Sequence, residues 1–423
     1  MVKQCFIVLI TVVSTTYFNA QITQIKEFAK VLCSKEFHGR GYVNSGDSIA
    51  AAYIQSGFEK NGIAPINGNY LQSFFFNVNT FPGNMEVIHN DKILKPGIHF
   101  MVHPSSKGGT INLVPKKIAS VELLDKKILS SILENLYDDS VYNALLIDYT
   151  NVSNDTLKLL QPICEQLSSA FPVIEITNKK FTWSVSDIEF NNPYIQVQDS
   201  IYEANAPFQI AIDSKLIKRH RANNVIGIVP AKKKSDEFIV FTAHYDHLGQ
   251  MGDSTYFPGA NDNASGTALL LEMANKIQKK PLKINAVFIA FAGEEAGLIG
   301  SYYFVNNPII DLKKVRFLIN TDIMGSGEDG VTVVNATLHD KEFQILKNIN
   351  NKKSYLKEIK SRGPAANSDH YWFSNEGVPS FFLYTMGPNK NYHDVFDTYE
   401  NLSFSATENV FNLLYDFAKK ITK

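Results

Sequence analysis

Residues 237–247 read Glu-Phe-Ile-Val-Phe-Thr-Ala-His-Tyr-Asp-His, an apolar run of strand length that ends in imidazole and carboxylate side chains. Two later runs, residues 284–291 and 315–320, have the same apolar character, and residues 265–279 between them and the first run have helical spacing. Alternating buried strands and helices are typical of a mixed, mostly parallel sheet that helices cover on both faces. We therefore predict an α/β fold for residues 204–423.

Between the first twenty residues and this domain, the chain divides into two further parts. Its 423 residues are enough for two or three folding units. Residues 21–80 contain two stretches with helical apolar spacing, and we predict that they form an N-terminal helical part of the α/β domain. Residues 81–203 alternate short strand-like runs with a helical stretch and contain none of the motifs described below. We interpret them as an inserted, smaller α/β accessory domain.

The first twenty residues differ in kind from the rest. Lys3 gives a positive start, residues 5–13 form an apolar core, and Ala20 stands at a boundary of small residues. This pattern is typical of a secretory signal peptide, and the apolar run is short for a membrane anchor. We expect residues 1–20 to be cleaved, the protein to be exported (secreted or periplasmic), and the mature chain not to insert into a membrane.

The charge balance argues against polyanionic partners. The chain has 41 basic and 42 acidic residues, giving a formal net charge of -1, and the basic residues are scattered along the sequence. Nucleic acids and anionic membranes are bound by concentrated positive charge. We therefore predict no nucleic-acid partner. Two cysteines, Cys33 and Cys164, follow the predicted signal peptide, and their number leaves open whether they pair.

Side chains that bind metals follow each predicted strand. In open α/β sheets, ligands bind outside the carboxyl ends of the strands. We therefore expect these side chains to converge on one crevice although they are far apart in sequence. The candidates are His244, Asp246, Asp262, Glu294, Glu295, Asp322 and His393.

The residue types in this set predict a particular chemistry. Two imidazoles and three of the five carboxylates in this set, without a thiolate, suit zinc or a similar divalent ion. One bridging carboxylate with two further ligands per ion makes a two-metal site. Strand alternation places His244 and Asp246 on one face, so that Asp246 could accept the second ring N–H of His244. The adjacent glutamates need different roles, and we assign Glu295 as a ligand and Glu294 as the general base.

Each motif alone is weak, because turns and surface ion pairs produce similar patterns, but their common position after strands makes the set specific. The motifs resemble, in order, those of the co-catalytic two-zinc aminopeptidases of peptidase clan MH (peptidase family M-twenty-eight), exported type with an inserted domain. The resemblance covers about residue 224 to the C-terminus, and is weaker over residues 36–41. The motifs are His244-Tyr-Asp-His-Leu-Gly249, Pro258-Gly-Ala-Asn-Asp-Asn-Ala-Ser-Gly266, Gly293-Glu-Glu-Ala-Gly-Leu-Ile-Gly-Ser301, Asp322 with Met324-Gly325, Ser368-Asp-His370 and Tyr392-His393.

The resemblance implies roles for these residues. One zinc ion would bind Asp262, Glu295 and His393, and the other would bind Asp262, Asp322 and His244. Glu294 would be the base and Asp246 the orienting carboxylate. The peptide bond after Asp262 would be cis, and the insert would correspond in position to a protease-associated domain.

Four further residues are possible substrate-binding or supporting groups. His247 stands close to a candidate ligand in sequence. Asp369 and His370 match a family motif, although a packed histidine beside a hydrogen-bonded aspartate explains them equally well. Tyr384 could donate to an oxyanion, and the alternative is a core tyrosine.

The function predicted from the sequence is removal of residues from peptides with a free N-terminus, by a water molecule that two zinc ions activate. Three alternatives stay open. A carboxypeptidase of the same family would need a cationic pocket, for which Arg362 is the nearby candidate. A glutaminyl cyclase would use one zinc ion for acyl transfer, and an inactive binding ectodomain should have lost candidate ligands, whereas this chain retains all of them.

Overall fold

The computed structural model describes residues 21–137 and 139–423. The signal peptide predicted at residues 1–20 lies outside the described residues. The helices are α1 (21–32), α2 (Gly46–Lys60), α3 (Lys126–Tyr137), α4 (Asn154–Leu167), α5 (Gly266–Lys279), α6 (Ile299–Asn306), α7 (Asp340–Lys353), α8 (His370–Asn375) and α9 (Thr407–Ile421).

The strands fall into a large sheet, two smaller sheets and a short hairpin. They are β1 (Leu71–Thr80), β2 (Met85–His89), β3 (Lys92–Ile93), β4 (Phe100–Val102), β5 (Gly109–Leu113), β6 (Pro115–Ile118), β7 (Ala144–Asp148), β8 (Val173–Thr177), β9 (Tyr194–Gln198), β10 (Phe208–Ile212), β11 (Lys215–Val229), β12 (Phe238–His244), β13 (Gln250–Met251), β14 (Thr255–Tyr256), β15 (Asn285–Phe291), β16 (Val315–Thr321), β17 (Gly330–Val334), β18 (Ile359–Ser361) and β19 (Ser380–Met386).

The large sheet is mixed, with a parallel centre. Its strand order is β1-β11-β15-β12-β16-β19-β17-β18. The four central strands β15, β12, β16 and β19 run parallel, whereas β11 and β17 join them in antiparallel fashion on either side. The predicted α/β fold and the three apolar runs at its centre are therefore confirmed.

Alternating side chains of the central strands pack into two cores, one on each face of the sheet. In β15, Phe288 packs with α2, α5 and α9, whereas Phe291 packs on the opposite face with α6 and α8. Both phenylalanine side chains are fully buried. A strand buried on both faces needs apolar residues at nearly every position, which explains why these runs lack the polar alternation of an exposed sheet.

The predicted helical part, residues 21–80, also contributes a strand. Its two helical stretches form α1 and α2, but residues 71–80 form β1 at the edge of the large sheet. β1 pairs antiparallel with β11, with Leu71 opposite Val225. The description of this part as helical was therefore incomplete, because β1 is completed by a strand about 150 residues later in the chain.

The inserted segment contains two sheets and ends later than predicted. One sheet has the order β3-β2-β10-β5, and the other has the order β4-β9-β8-β7-β6. β10 (Phe208–Ile212) lies beyond the predicted boundary at residue 203, yet it pairs with β2 and β5. The chain returns to the large sheet only with β11, so the boundary moves to about residue 214.

The insert and the α/β domain share a hydrophobic core. Trp183 of the insert stacks on Phe257 with ring centroids 4.7 Å apart, and Met251 and Leu248 belong to the same buried cluster. Cys33 and Cys164 are both buried as free thiols. Within the described residues, we find no helix that combines the length and apolar character needed to cross a bilayer.

Candidate active site

The candidate residues lie at the carboxyl edge of the parallel strands. His244 ends β12, the pair Glu294 and Glu295 follows β15, and Asp322 follows β16 directly. His393 lies in the loop after β19, which is parallel to β16. Asp262 lies in the irregular turn Ala260–Ser265 that precedes α5. Parallel strands end at the same edge of a sheet, and this shared edge brings the distant residues together.

The carboxylate of Asp262 lies between two histidines. Its Oδ1 is 3.3 Å from Nε2 of His244, and its Oδ2 is 3.1 Å from Nε2 of His393. On the first side, Oδ2 of Asp322 is also 3.3 Å from Nε2 of His244. On the second side, Oε2 of Glu295 is 3.1 Å from Nε2 of His393. Asp262 is therefore common to two groups of three side chains.

These spacings are compatible with zinc. Zinc bonds of about 2.0–2.2 Å in a tetrahedron separate neighbouring ligand atoms by about 3.3–3.6 Å. The groups His244, Asp262 and Asp322 have donor atoms close enough together to hold one ion. The donor set has only imidazole nitrogens and carboxylate oxygens, which zinc accepts. Each group of three leaves room for a further ligand, as in catalytic zinc sites.

His247 competes with His393 for the second group, because its ring also lies within ligand distance of Asp262 and Glu295. The two histidines differ in their hydrogen bonds. His247 places Nδ1 2.7 Å from Oε1 of Glu295, so it contacts the glutamate oxygen that points away from His393. His393 donates from Nδ1 to the backbone carbonyl of Trp183 at 3.0 Å, which leaves its Nε2 free to bind a metal. We therefore favour His393 as the ligand and His247 as a residue that orients Glu295.

The carboxylates of the cluster raise the pKa of both candidate ligand histidines. Burial by itself would lower the pKa of His393, but the carboxylates of Glu295 and Asp262 raise it to about 11. The pKa of His244 is also held well above its usual range, chiefly by Asp322, although burial opposes this. Protons on the two imidazoles thus offset the buried negative charge, and divalent ions would replace those protons on binding.

The adjacent glutamates have opposite environments. Burial and the neighbouring carboxylate of Glu295 raise the pKa of Glu294 well above its usual value, against the attraction of His244. Burial also acts on Glu295, but the nearby His393 imidazole lowers its pKa. A carboxylate with a lowered pKa suits a metal ligand, whereas one with a raised pKa suits proton transfer near neutral pH. The assignment of Glu294 as the base and of Glu295 as a ligand stays a prediction.

Asp246 does not make the contact predicted for it. Its nearest carboxylate oxygen is 3.9 Å from Nδ1 of His244, too far for a hydrogen bond. His244 instead donates to the backbone carbonyl of Asp246 at 3.2 Å. The prediction assumed strand alternation, but β12 ends at His244, so Asp246 is already in the loop.

The carboxylate of Asp246 accepts hydrogen bonds from three other groups. The hydroxyl of Tyr42 donates to Oδ2 at 2.8 Å, and the backbone N–H groups of Glu294 and Glu295 donate to Oδ1 and Oδ2 at 3.2 and 3.3 Å. Burial raises the pKa of Asp246 to about 6. Its observed contacts therefore fix the backbone of the two glutamates rather than the ring of His244.

Arg40, early in the chain, and Asp397, near its C-terminus, both bind the turn that contains Asp262. Arg40 is fully buried and donates to the backbone carbonyls of Pro258 at 2.7 Å and Gly259 at 2.6 Å. Asp397 accepts hydrogen bonds from the backbone N–H groups of Asn261 and Asp262 at 2.9 and 3.0 Å. The peptide bond after Asp262 is cis, as the family resemblance implied.

Gly259 meets a steric requirement of the same turn. Its φ is +54°, in the left-handed region that favours glycine. A Cβ atom there would lie 2.2 Å from the backbone oxygen of Asp262 and 2.4 Å from the ring of His247. A side chain at this position would therefore displace two members of the cluster.

The cluster opens into a small cavity of about 190 Å³. Tyr384 and Arg362 line its wall together with Tyr392, and Arg362 Nη1 donates to the Tyr384 hydroxyl at 3.1 Å. Tyr384 is half-buried and lines the cavity, and its role as a donor to an oxyanion stays a prediction. Arg362, the cation considered for a carboxypeptidase, lies in the same wall.

Asp369 and His370 lie behind the cavity and are fully buried. Burial raises the pKa of Asp369 to about 7, and the carboxylates of Asp246 and Asp322 act in the same direction, against His244. Burial lowers the pKa of His370 to about 4, and its ring packs 5.1 Å from that of Phe382. His370 is therefore a neutral, packed histidine, and it is absent from the residues that line the cavity.

Sequence reasoning missed several residues that support the site. Tyr42 and Arg40 belong to the segment between α1 and α2, to which the sequence patterns assign no role in the site. The signal available was an arginine and a tyrosine among glycines at positions 39–42, where a solvent-exposed loop needs neither. Trp183 and Asp397 had no comparable signal, because their roles depend on backbone atoms or on tertiary packing.

The chain is similar in sequence to known peptidases. Residues 224–418 match the profile of Peptidase family M28. The aminopeptidase YwaD of Bacillus subtilis (strain 168) is 29% identical over 222 residues, covering 49% of this chain and 48% of that protein. A probable leucine aminopeptidase of Trichophyton verrucosum (strain HKI 0517) is 28% identical over 244 residues, covering 52% and 64% of the two chains. The matched part thus spans about half to two thirds of these relatives.

Solved structures share the fold over nearly the whole chain. The structure of BSAP, a zinc aminopeptidase from Bacillus subtilis, has a TM-score of 0.69 and 18% identity, covering 96% of this chain and 95% of that one. An aminopeptidase from Aneurinibacillus sp. strain AM-1 has a TM-score of 0.63 and 17% identity, covering 95% and 94%. At such identities the likeness concerns the fold alone.

Proposed function

Because this chain belongs to peptidase family M28 through residues 224–418, we propose that it is a zinc-dependent aminopeptidase with two metal ions per chain. Its substrates would be peptides with a free N-terminus. The names of the relatives support hydrolysis at the N-terminus and the use of zinc. The ion count and the recognition of the terminal amine are inferred from the site itself.

The position of Asp262 carries the proposal. Its two carboxylate oxygens point to different histidines, at 3.3 and 3.1 Å. A structural ion pair would need only one of these contacts, and the second histidine would add the cost of another buried polar group. A carboxylate that bridges two ions uses both oxygens. We therefore assign His244, Asp262 and Asp322 to one ion and His393, Asp262 and Glu295 to the other.

Zinc bound at these positions would polarise the scissile carbonyl and lower the pKa of a water molecule. Glu294 lines the same cavity and has no place in either ligand set. Its carboxylate would accept a proton from the attacking water and transfer that proton to the leaving amine. Tyr384, which lines the cavity, would donate from its hydroxyl to the oxygen of the carbonyl as negative charge develops there.

The terminal amine of the substrate would be recognised by carboxylates at the same site. Oδ1 of Asp322 is buried and has no hydrogen-bond partner among the residues that the structure describes. An ammonium group could donate to this oxygen while Oδ2 remains directed at His244. An acetylated N-terminus has no such positive charge and would leave the oxygen unpaired, which would favour peptides with a free amine.

The inserted segment and the N-terminus complete the proposal. We assign the insert to the protease-associated type by its position before β11, and we propose that residues 1–20 direct export. The apolar run at residues 5–13 and the small residues before Gln21 support a cleavable signal. Mass spectrometry of the protein recovered outside the cells would give its N-terminal residue, expected to be Gln21.

A matched pair of peptides tests the proposed reaction. The same peptide, with a free or an acetylated N-terminus, is incubated with the zinc-loaded protein and the products are followed by mass spectrometry. We expect stepwise loss from the free N-terminus, and cleavage of the acetylated peptide slower by about 10- to 100-fold, for a lost interaction of about 1–3 kcal/mol. The Glu294→Gln protein, purified in parallel, controls for contaminating peptidases.

The same experiment separates the alternatives. Shortening from the C-terminus would support the carboxypeptidase and a role for Arg362 in binding the substrate carboxylate. Cyclisation of an N-terminal glutamine without cleavage would support the glutaminyl cyclase. Internal fragments, or equal cleavage of the two peptides, would contradict the aminopeptidase, and no product with any peptide would favour the inactive ectodomain.

A further inference from the structure

The candidate ligand His393 is bound by the inserted segment at two points. The backbone N–H of Trp183 donates to the carbonyl of His393 at 2.8 Å. In return, Nδ1 of His393 donates to the carbonyl of Trp183 at 3.0 Å. The first bond holds the backbone of His393 and the second holds its ring, so that Nε2 points to Asp262 and Glu295.

The backbone of His393 needs such support. Its φ is +52°, in the left-handed region that residues other than glycine rarely adopt. This conformation costs free energy and persists only where surrounding contacts hold it. The insert supplies part of this support through the two hydrogen bonds between Trp183 and His393.

Lys180 of the insert binds both sides of the same loop. Its ammonium group forms an ion pair with Asp394 and also donates to the backbone carbonyl of Lys390 at 2.6 Å. The side chain of Asp394 is only 3% exposed. It also accepts from the backbone N–H of Phe396 at 2.7 Å and from that of Tyr392 at 3.3 Å. Lys180 thus pairs with a buried carboxylate that organises the residues around His393.

Trp183 is itself fixed firmly within the insert. Its indole Nε1 donates to the backbone carbonyl of Val102 in β4 at 2.8 Å, and its ring stacks on Phe257 of the α/β domain. The position of the Trp183 carbonyl is therefore set by the packing between the two parts of the chain. A displacement of the insert would move the acceptor that orients His393.

We propose that the inserted domain completes the metal centre, with Lys180 and Trp183 as positioning residues for His393. The metal group of Asp262, Glu295 and His393 then depends on the insert, whereas the group of Asp262, Asp322 and His244 is supported by the α/β domain alone. This inference rests on the proposed zinc site, and it makes the insert part of the catalytic unit rather than an independent appendage.

Variants at Lys180 test the inference by zinc binding without any substrate. Lys180→Met keeps the length of the side chain but removes its charge, and Lys180→Arg restores the charge. The matched control is Lys179→Met, because among the residues that the structure describes the ammonium group of Lys179 donates to Asn154 and to the carbonyl of Val152, both within the insert. Zinc is titrated into each full-length, metal-free protein in competition with a chromophoric chelator.

We expect Lys180→Met to weaken one of the two zinc equivalents by about 10-fold, the lower end of the range for outer partners of a ligand, because Lys180 acts on His393 through Asp394. Lys180→Arg and Lys179→Met should bind both equivalents as the wild type does. Equal binding by Lys180→Met, or the same loss in Lys179→Met, would overturn the inference. A wild type that binds zinc in this way but releases no N-terminal residues would contradict the proposed function alone.

Hydrogen exchange of the metal-free proteins distinguishes a local effect of Lys180→Met on the loop around His393 from a loss of stability of the whole protein. The inference predicts faster exchange confined to residues 390–397, which form the loop around His393. Exchange that is faster across the whole chain, without an additional increase at residues 390–397, would indicate a general loss of stability. That result would overturn the positioning role.

Discussion

Nε2 of His244 lies 3.3 Å from Oδ1 of Asp262, and the second oxygen of the same carboxylate is directed away from this histidine. That second oxygen lies 3.1 Å from Nε2 of His393. One aspartate therefore links two histidines that are 149 positions apart in the chain. This relationship, together with the separate carboxylates Asp322 and Glu295, is the geometric basis of the proposed two-zinc site.

Glu294 and Glu295 should respond differently to the same substitution. Glu294→Gln removes the proposed base, and we expect kcat to fall by about 10²- to 10⁴-fold while zinc content stays unchanged. Glu295→Gln removes a charged ligand oxygen, and we expect zinc content to fall together with activity. Elemental analysis and peptide hydrolysis on both variants check this. Equal metal loss in the two, or an active Glu294→Gln protein, would refute the assignment.

Tyr42 should affect the site although it contacts no candidate ligand. Its hydroxyl donates to Asp246, whose carboxylate holds the backbone of Glu294 and Glu295. We expect Tyr42→Phe to reduce kcat or zinc affinity by about 10-fold, the lower end of the range for outer partners. The control is Tyr245→Phe, because the hydroxyl of Tyr245 donates to the carbonyl of Asn223 instead. If both variants lose the same activity, Tyr42 has no specific role.

His370 should make the stability of the metal-free protein depend on pH. Its pKa is lowered from 6.5 to about 4 by burial, so the folded state keeps the ring neutral while the unfolded chain takes up a proton below pH 6.5. The stability from this group is present above the unfolded pKa and is lost as the pH falls through this range, a loss of about 3 kcal/mol. Urea unfolding at several pH values should show a shallower decline for His370→Asn. An identical pH dependence in the variant would contradict the buried, neutral assignment.

The central part of the fold was predictable because its strands are buried on both faces. Residues 237–247 and the two later apolar runs can be identified as strands without knowledge of the strands they pair with. Candidate site residues follow them directly in sequence. β1 was missed although its Phe74, Phe76 and Val78 alternate, because a helical interpretation of residues 21–80 was extended over it. Its pairing with β11 depends on chain segments far apart, which local periodicity does not reveal.

The contacts that support the site were harder to predict from the sequence. The predicted bond between Asp246 and His244 failed because the alternation rule stops where β12 ends. The link from Trp183 to His393 joins residues that are 210 positions apart and uses the backbone carbonyl of Trp183, so the identity of Trp183 does not signal it. Residue types and strand ends thus indicate which side chains can meet, whereas their partners are set by tertiary packing.

Substitution of the shared aspartate should be more severe than substitution of an unshared one. We expect Asp262→Asn to lower the affinity for both zinc ions, because it removes charge from both ligand sets. Asp322→Asn should weaken only one of them, since Asp322 contacts His244 and is assigned to one ligand set. Native mass spectrometry distinguishes chains with no, one or two bound ions. An Asp322→Asn protein that loses both ions to the same extent as Asp262→Asn would contradict the division into two sets.

The number of zinc ions bound by the wild-type chain tests the account most directly. The protein is stripped with a chelator, saturated with zinc, freed of excess metal and measured by elemental analysis against an accurate protein concentration. Two ions per chain, with hydrolysis from the N-terminus restored in parallel, is the predicted result. One ion per chain at saturation would contradict the shared role of Asp262 and would favour the single-zinc cyclase alternative.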